Sequence, residues 1–289
     1  MKASKALNRT DRPTLSFEFF PPKTPEGEAH LLAAIGKLGQ FNPDFVSVTY
    51  GAMGTTRAKT FYWAEQIKKK FKIEPVAHLT CVGAERNDLS AQLKQLAKLG
   101  IENILALRGD PPTGETKFTP PKNGFRYASE LVEFIKSEQP KFCIGVAGYP
   151  EKHTEATAMK NDISNLKKKI DAGAEYIITQ LFFNNQAYFY FVDQCRSAGI
   201  KVPIIPGQMM ITSARQIKTL TEKCGATIPK ELLEKIEKNA ENPDAIKRIS
   251  TEWTLEQTRE LIIGGVNYFH FFVMNQAEPI STVLSELGF

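Results

Sequence analysis

Short apolar runs recur along the whole chain, and segments of helical periodicity separate them. Such runs are typical of buried strands, while residues 90–98, with leucines three apart, indicate an amphipathic helix. Gly100, Gly173 and Gly199 each precede a run, where glycine suits the left-handed turn that ends a helix. We predict strands near residues 14–19, 44–49, 74–79, 103–108, 142–147, 175–180, 202–206 and 267–273.

This alternation of strands and helices predicts an α/β fold, a closed (β/α)8 TIM barrel of parallel strands. We expect a single domain over residues 13–289, after a flexible tail at 1–12. The alternative is an open doubly wound sheet, which commonly carries G-x-G-x-x-G after its first strand when it binds a dinucleotide. Neither that motif nor a P-loop occurs in the chain. The long, charged stretch 221–257 predicts one or two extra helices before the last strand.

Composition narrows the class of partner. A net charge of +5 over 289 residues is too mild to imply nucleic acid, and no apolar run approaches the ~20 residues of a membrane span. The four cysteines are scattered without zinc or redox spacing, and no secretory signal is visible. We therefore expect a cytoplasmic protein with no nucleic-acid partner and no membrane partner. His78, His153 and His270 stand alone, which favours core roles, and we predict no metal site.

Polar residues at the ends of the predicted strands are the candidates for chemistry, because the carboxyl ends of barrel strands form the catalytic mouth. Glu18 lies between Phe17 and Phe19 and points to the opposite face of its strand. Burial among apolar groups would raise the pKa of this carboxyl, which suits a general acid. A structural ion pair at the barrel rim is an equally good reading of the residue type.

Three further groups are candidates: two of them follow predicted strands, and the third lies on one face of a predicted helix. Arg108 offers a fork of hydrogen-bond donors, Gly109 permits a ligand to approach the backbone closely, and Asp110 carries a fixed negative charge. The alternative interpretation of these residues is a turn closed by a salt bridge. Gln180 ends a strand, and its amide matches the donor and acceptor edge of a pterin or a flavin. One helical face carries charged and amide side chains that fit a ribose and pyrophosphate, although spacing alone favours a solvated face. These are Asp162, Asn165, Lys168 and Lys169.

Six motifs in order resemble the methylenetetrahydrofolate reductase family over nearly the whole chain, from about Leu15. They are Phe17-Glu-Phe-Phe-Pro-Pro22, Val46-Ser-Val-Thr-Tyr-Gly51, His78-Leu-Thr-Cys81, Leu107-Arg-Gly-Asp110, Tyr149-Pro-Glu-Lys-His153, and Asp171-Ala-Gly-Ala174 with Ile178-Thr-Gln180. Each motif alone is weak, but six with matching gaps are specific.

The resemblance implies a barrel that holds FAD, takes a hydride from NADH or NADPH, and reduces methylenetetrahydrofolate to 5-methyltetrahydrofolate in a ping-pong course. It implies that Glu18 is the acid that protonates the folate N10 and that the charge of Asp110 favours the cationic intermediate and tunes the flavin. It implies that Gln180 contacts both substrates and that the protein is a homo-oligomer.

The same resemblance assigns the cofactor contacts, and it reverses the preference for a solvated face. For FAD they are Tyr50, Ala52, His78, Arg108, Gly109, Asp110, Ala128, Tyr149, His153, Ala156, Asp162, Asn165, Lys168 and Lys169. Thr49 matches a nicotinamide contact. Folate contacts are expected from Glu18, Asp110, Gln180, Gln216 and Gln276.

Two departures from the family pattern lie near the predicted mouth. The family usually has an arginine where Gln276 stands, and a tyrosine where Phe272 stands. The stretch 206–210 also differs from the usual version. A flavin-independent folate-binding or methyl-transfer barrel is the competing function, although it leaves the charged helical face without a use. A non-catalytic scaffold is the third alternative.

Overall fold

The computed structural model describes residues 1–50, 57–111, 114 and 118–289. The strands are β1 Thr14–Phe19, β2 Phe45–Val48, β3 Glu74–Thr80, β4 Asn103–Leu107, β5 Cys143–Gly148, β6 Tyr176–Thr179, β7 Ile204–Ile205, β8 Gly207–Gln208 and β9 Tyr268–Phe272. The helices are α1 Ala3–Leu7, α2 Pro25–Gly39, α3 Arg57–Gln66, α4 Arg86–Lys98, α5 Ala128–Glu138, α6 Met159–Asp171, α7 Asn185–Ser197, α8 Ala214–Cys224, α9 Lys230–Lys238, α10 Pro243–Ile263 and α11 Glu278–Leu287. A π-helical turn, Ile67–Phe71, extends α3.

The strands form one parallel sheet in the order β7-β6-β5-β4-β3-β2-β1-β9-β8. Only Pro206 separates β7 from β8, so the two ends of this order are neighbours in the chain. The Pro206 carbonyl accepts a hydrogen bond from the backbone N–H of His270 on β9, at 3.2 Å. The sheet is therefore a nearly closed barrel, as the sequence predicts.

The predicted strands agree with the structure, apart from the stretch at 202–206. There the chain forms two short strands on either side of Pro206, because proline has no N–H to donate to a neighbouring strand. The extra helices predicted within 221–257 are also present, as α9 and the first half of α10.

Alternation along each strand divides the core into an outer layer and a barrel interior. On β1, Leu15 and Phe17 face outward and pack with the apolar sides of the surrounding helices. The lower interior is a separate apolar cluster that includes Phe45, Val76 and Tyr176. Above it, toward the carboxyl ends of the strands, the interior becomes polar. This gradient leaves the buried polar groups at the catalytic end of the barrel.

The first residues differ from the expected flexible tail. Ala3 and Leu7 on α1 are buried and join the lower interior cluster. The backbone N–H of Ala3 donates to Asn103 Oδ1 at 2.7 Å, and Ser4 Oγ donates to Glu175 Oε2 at 2.8 Å. Helix α1 therefore closes the amino-terminal end of the barrel. A five-residue helix gives too weak a periodic signal to be recognised from the sequence.

Within the described part of the chain, no helix is both long enough and apolar enough to cross a membrane.

Candidate active site

A buried carboxyl forms the centre of the barrel mouth. Glu18 lies on the inward face of β1 with only 7% of its surface exposed. Ser47 on β2 donates to Glu18 Oε2 at 3.1 Å. The Nε2 atoms of His78 on β3 and His270 on β9 lie 3.2 Å and 3.7 Å from the same oxygen. Strands far apart in sequence thus meet around one carboxylate.

Ser16 holds the imidazole of His270 in place. Ser16 Oγ donates to the Phe269 carbonyl at 3.0 Å and lies 2.9 Å from His270 Nδ1. The direction of the second hydrogen bond depends on the tautomer of His270, because either ring nitrogen of a neutral histidine can carry the proton. Ser16 thus orients the ring whose Nε2 faces Glu18.

The pKa of Glu18 corrects the sequence prediction. Burial raises the pKa of this carboxyl, as expected, but His78 and His270 lower it by more, through charge and hydrogen bonding. The net pKa lies well below the ordinary value of a glutamate. Residue type and strand position reveal the burial, but they do not reveal which groups face Glu18 across the barrel.

The corner at Arg108, Gly109 and Asp110 follows β4 at the same end of the barrel. Gly109 has a φ of +86°, and a Cβ there would meet Val82 Cγ1 at 2.7 Å. Only glycine fits both the conformation and the close approach. Asp110 is exposed at the rim. The corner is thus a tight turn packed against the end of β3, and it carries the negative charge of Asp110 at the rim.

A cationic group lies beside this corner. Arg108 donates two hydrogen bonds to Glu155, at 2.6 Å and 2.7 Å, and its guanidinium lies 5.1 Å from the Phe118 ring centroid. Those hydrogen bonds raise the pKa of Arg108. Lys169 donates to the Ala147 carbonyl at the end of β5, at 2.9 Å. Burial lowers the pKa of Lys169 to about 8.

The charged face of α6 divides between the barrel end and the surface. Asp162 accepts from the backbone N–H of His153 at 3.0 Å, and the imidazole packs edge-on against Tyr149. Asn165 and Lys168 are exposed and bond to each other at 3.2 Å. The structure therefore brings Asp162 and Lys169 to the loop after β5, while the other two point outward.

The remaining predicted cofactor positions are distributed around the same end of the barrel. Thr49 is buried after β2, and Tyr50 next to it donates to Gln92 at 3.3 Å. Ala128 begins α5, and Ala156 lies in the loop that follows β5. Ala52 lies outside the described residues.

Three of the predicted folate positions are glutamines that follow β6 in the chain. Gln180 follows β6, and its amide oxygen accepts from the backbone N–H of Leu181 at 2.9 Å. Gln216 on α8 accepts from the backbone N–H of Thr212 at 2.8 Å. Gln276 is exposed and, together with Thr212, lines a small cavity beside β8 and β9.

Sequence reasoning missed two groups that the fold brings to the carboxyl, Ser47 and His270, and a third, Ser16, that contacts His270. Ser16, Ser47 and His270 lie on the inward faces of their strands, and the sequence favoured a core role for His270. The sequence gives a weak signal for two of them. Ser16 lies two residues before Glu18 and His270 lies two residues before Phe272, so each shares a strand face with a residue expected near the mouth. Among the described residues, no group of three or more His, Cys, Asp or Glu side chains could hold a metal ion.

Fold and mouth together define a (β/α)8-barrel protein with a carboxyl–imidazole cluster and a cationic side at the carboxyl ends of its strands, an arrangement typical of small-molecule enzymes. The sequence model of methylenetetrahydrofolate reductase matches residues 2–288. The chain belongs to the methylenetetrahydrofolate reductase family.

Individual relatives agree with this assignment. The chain is 38% identical over 274 residues to 5,10-methylenetetrahydrofolate reductase of Escherichia coli, covering 95% of this chain and 90% of that protein. It is 34% identical to methylenetetrahydrofolate reductase (NADH) 1 of Arabidopsis thaliana, covering 98% of this chain and 50% of that protein. The chain thus spans about half the length of the plant and fission-yeast relatives it matches.

Solved structures share the fold at low sequence identity. An uncharacterized protein from Clostridium thermocellum, described as binding two copies of 5-methyl-5,6,7,8-tetrahydrofolic acid, aligns with a TM-score of 0.66 at 18% identity, covering 97% of this chain and 95% of that one. Oxaloacetate acetylhydrolase aligns with a TM-score of 0.55 at 11% identity, covering 99% of this chain and 83% of that one.

Proposed function

We propose that this chain catalyses the reduction of 5,10-methylenetetrahydrofolate to 5-methyltetrahydrofolate, with FAD as cofactor and NADH or NADPH as electron donor. The carrying observation is the buried Glu18 with two facing imidazoles, at the same end of the barrel as the Arg108–Asp110 corner. Family membership and the bacterial relatives support the reaction.

The residues at the mouth fit a flavin dinucleotide. Lys169 and Arg108 bring positive charge that suits a diphosphate, and Arg108 is paired with Glu155 in this structure. The buried hydroxyl of Thr80, at the end of β3, has no hydrogen-bond partner among the described residues, as expected where a polar ligand binds. Bound FAD would supply hydride transfer at this mouth.

Glu18 is proposed to act as the acid toward folate. The methylene carbon of the substrate bridges N5 and N10, and protonation of N10 breaks the bond between that nitrogen and the carbon. The carbon is then a cationic iminium on N5, and a hydride converts it to the methyl group. Glu18 is the buried carboxyl at the mouth, so a proton that it passes to N10 is shielded from water.

The lowered pKa of Glu18 is compatible with this role because the proton is shared. The lowering depends on positive charge at His78 and His270. When both imidazoles are neutral, burial remains as the dominant influence and favours the protonated carboxyl. We therefore propose that the proton given to N10 leaves this cluster through Glu18.

Asp110 and Gln180 are proposed to act by position. The exposed carboxylate of Asp110 at the rim would stabilise the cationic iminium through its charge. Gln180 presents an amide at the end of β6, suited to the donor and acceptor pattern of a pterin. Because both substrates would use this face, we expect nicotinamide and folate to bind in turn, a ping-pong course.

Half-reactions test the proposal. Purified protein supplied with FAD should become yellow, and NADH or NADPH should bleach the flavin absorption without oxygen. Methylenetetrahydrofolate should then restore it. Glu18→Gln should retain bleaching at close to the wild-type rate and slow the folate step by at least about 10²-fold, since an amide has no proton to give at neutral pH.

Glu28→Gln on the exposed face of α2 is the matched control and should leave both steps unchanged. Equal loss of both half-reactions in Glu18→Gln would refute the acid role. The two donors are compared under identical conditions, with NADH first because plant relatives carry that cofactor in their names.

The second candidate is a flavin-independent folate-binding or methyl-transfer barrel. The methyltetrahydrofolate-binding neighbour from Clostridium thermocellum favours it at the level of fold. Protein that binds 5-methyltetrahydrofolate but takes up no FAD at any concentration would support this candidate against the reductase.

A further inference from the structure

Thr80 has a buried hydroxyl that the fold leaves unused. It is the last residue of β3, and 4% of its surface is exposed. Its Oγ1 has no hydrogen-bond partner among the described residues. Other buried threonines differ: Thr14 donates to the Ala6 carbonyl at 3.0 Å, and Thr258 donates to the Thr254 carbonyl at 2.7 Å.

The side chain of Thr80 faces the mouth. Val76, His78 and Thr80 alternate along β3 and share one face. Val76 belongs to the lower interior cluster, and His78 approaches Glu18 one layer higher. Thr80 is the next layer, at the carboxyl end of the strand. It therefore lies directly above the carboxyl–imidazole cluster.

Thr80 also borders the glycine corner. A Cβ built on Gly109 would lie 3.2 Å from Thr80 Cβ. The backbone of β4 continues beside β3 up to this point, since Cys81 N–H donates to the Leu107 carbonyl at 3.2 Å. The unpaired hydroxyl thus stands between the carboxyl–imidazole cluster and the turn at Gly109.

A buried hydroxyl without a partner is unfavourable, and valine would fill the same space without that penalty. A ligand that forms the missing hydrogen bond would remove this unfavourable free energy. We propose that Thr80 binds the isoalloxazine ring of FAD through Oγ1 and so positions the flavin between Glu18 and Gly109. This inference rests on the proposed function, because it requires FAD at this mouth.

Opposite effects of one substitution on stability and on binding test the proposal. Thr80→Val removes the hydroxyl and keeps the branched shape. Flavin-free Thr80→Val should melt at the wild-type temperature or above, because no hydrogen bond is lost. Its affinity for FAD, followed by quenching of flavin fluorescence, should fall by about fivefold to tenfold. Thr80→Ser, which keeps the donor, should stay within about threefold of wild type.

Thr14→Val is the matched control at the opposite end of the barrel. It breaks the hydrogen bond to Ala6, so it should lower the melting temperature and leave FAD affinity unchanged. If Thr80→Val binds FAD with wild-type affinity, or if its flavin-free form melts at a lower temperature than wild type, the inference about Thr80 is wrong. Neither result bears on the proposed function. Failure of the wild-type protein to take up FAD would overturn the proposed function together with it.

Discussion

At the scale of single residues, burial opposes the charged forms of both Glu18 and Lys169, yet their neighbours differ. Two imidazoles face Glu18 and more than offset its desolvation. Lys169 has Asp162 nearby, but Arg108 adds repulsion, and the net pKa of the lysine falls to about 8. The charged form of the Glu18 carboxyl is therefore stabilised. The charged form of Lys169 is destabilised by burial, and a bound anion would offset that destabilisation.

Lys169→Met should stabilise the flavin-free protein near neutral pH by about 1 kcal/mol. The folded pKa of about 8 lies below the unfolded value of 10.5, so the unfolded chain binds more protons between them. Wild-type stability should therefore rise as the pH rises through this interval, whereas the variant should lack that rise. Urea unfolding at about pH 7.5 and about pH 9.5 measures both effects.

Lys168→Met is the adjacent control. Lys168 is exposed, so its loss should change neither the urea midpoint nor its pH dependence. A Lys169→Met protein with the wild-type rise above pH 8 would contradict the assignment. Under the proposed function, the same variant should also bind FAD more weakly, because it loses a cation beside the diphosphate.

At the scale of elements, α1 stabilises the barrel from the end opposite to the mouth. Leu7 is 5% exposed and packs within the lower interior cluster. Asn103 links this helix to β4 through its side-chain oxygen and through its amide, which donates to the Met1 carbonyl at 3.0 Å. The helix is therefore part of the core, and its contribution is to stability rather than to chemistry.

Leu7→Ala should lower the free energy of unfolding by about 2–4 kcal/mol, since it opens a cavity beneath the barrel. The midpoint of urea unfolding measures the loss. Ile263→Ala, at a side chain that is 85% exposed, should change stability by less than about 0.5 kcal/mol. A Leu7→Ala protein as stable as wild type would show that α1 does not pack as described.

At the scale of the whole molecule, the strand pattern was predictable because apolar runs with period two report burial directly. The inward direction of Glu18 could also be predicted, because side chains alternate between the two faces of a strand. The partners of Glu18 did not, because His270 lies more than 250 residues away and only the register of β1 against β9 brings it close. The split at Pro206 also escaped prediction, since sequence alone does not show which strand closes the barrel.

The mouth as a whole is asymmetric in charge. Arg108 and Lys169 lie on the β4–β6 side, whereas the described lining of the cavity beside β8 and β9 carries no charged side chain. Gln276→Arg would add a cation there. Under the proposed function it should lower KM for a folate with a glutamate tail by about threefold to tenfold and leave FAD reduction by NADH unchanged.

Steady-state kinetics with folates of different tail length measure that effect. Gln276→Met, which keeps length without charge, separates attraction from shape and should leave KM close to wild type. An arginine variant with wild-type KM for every tail length would show that the tail does not reach this cavity.

The pairing of β1 with β9 also bears on how the protein is made. Thr14 pairs with Tyr268, so β1 lacks one of its two lateral partners until β9, more than 250 residues further along the chain, has been synthesised. During synthesis that edge of β1 is open to mispairing, and the imidazole of His270 reaches Glu18 only at closure. Completion of the carboxyl–imidazole cluster and completion of the barrel are therefore the same event.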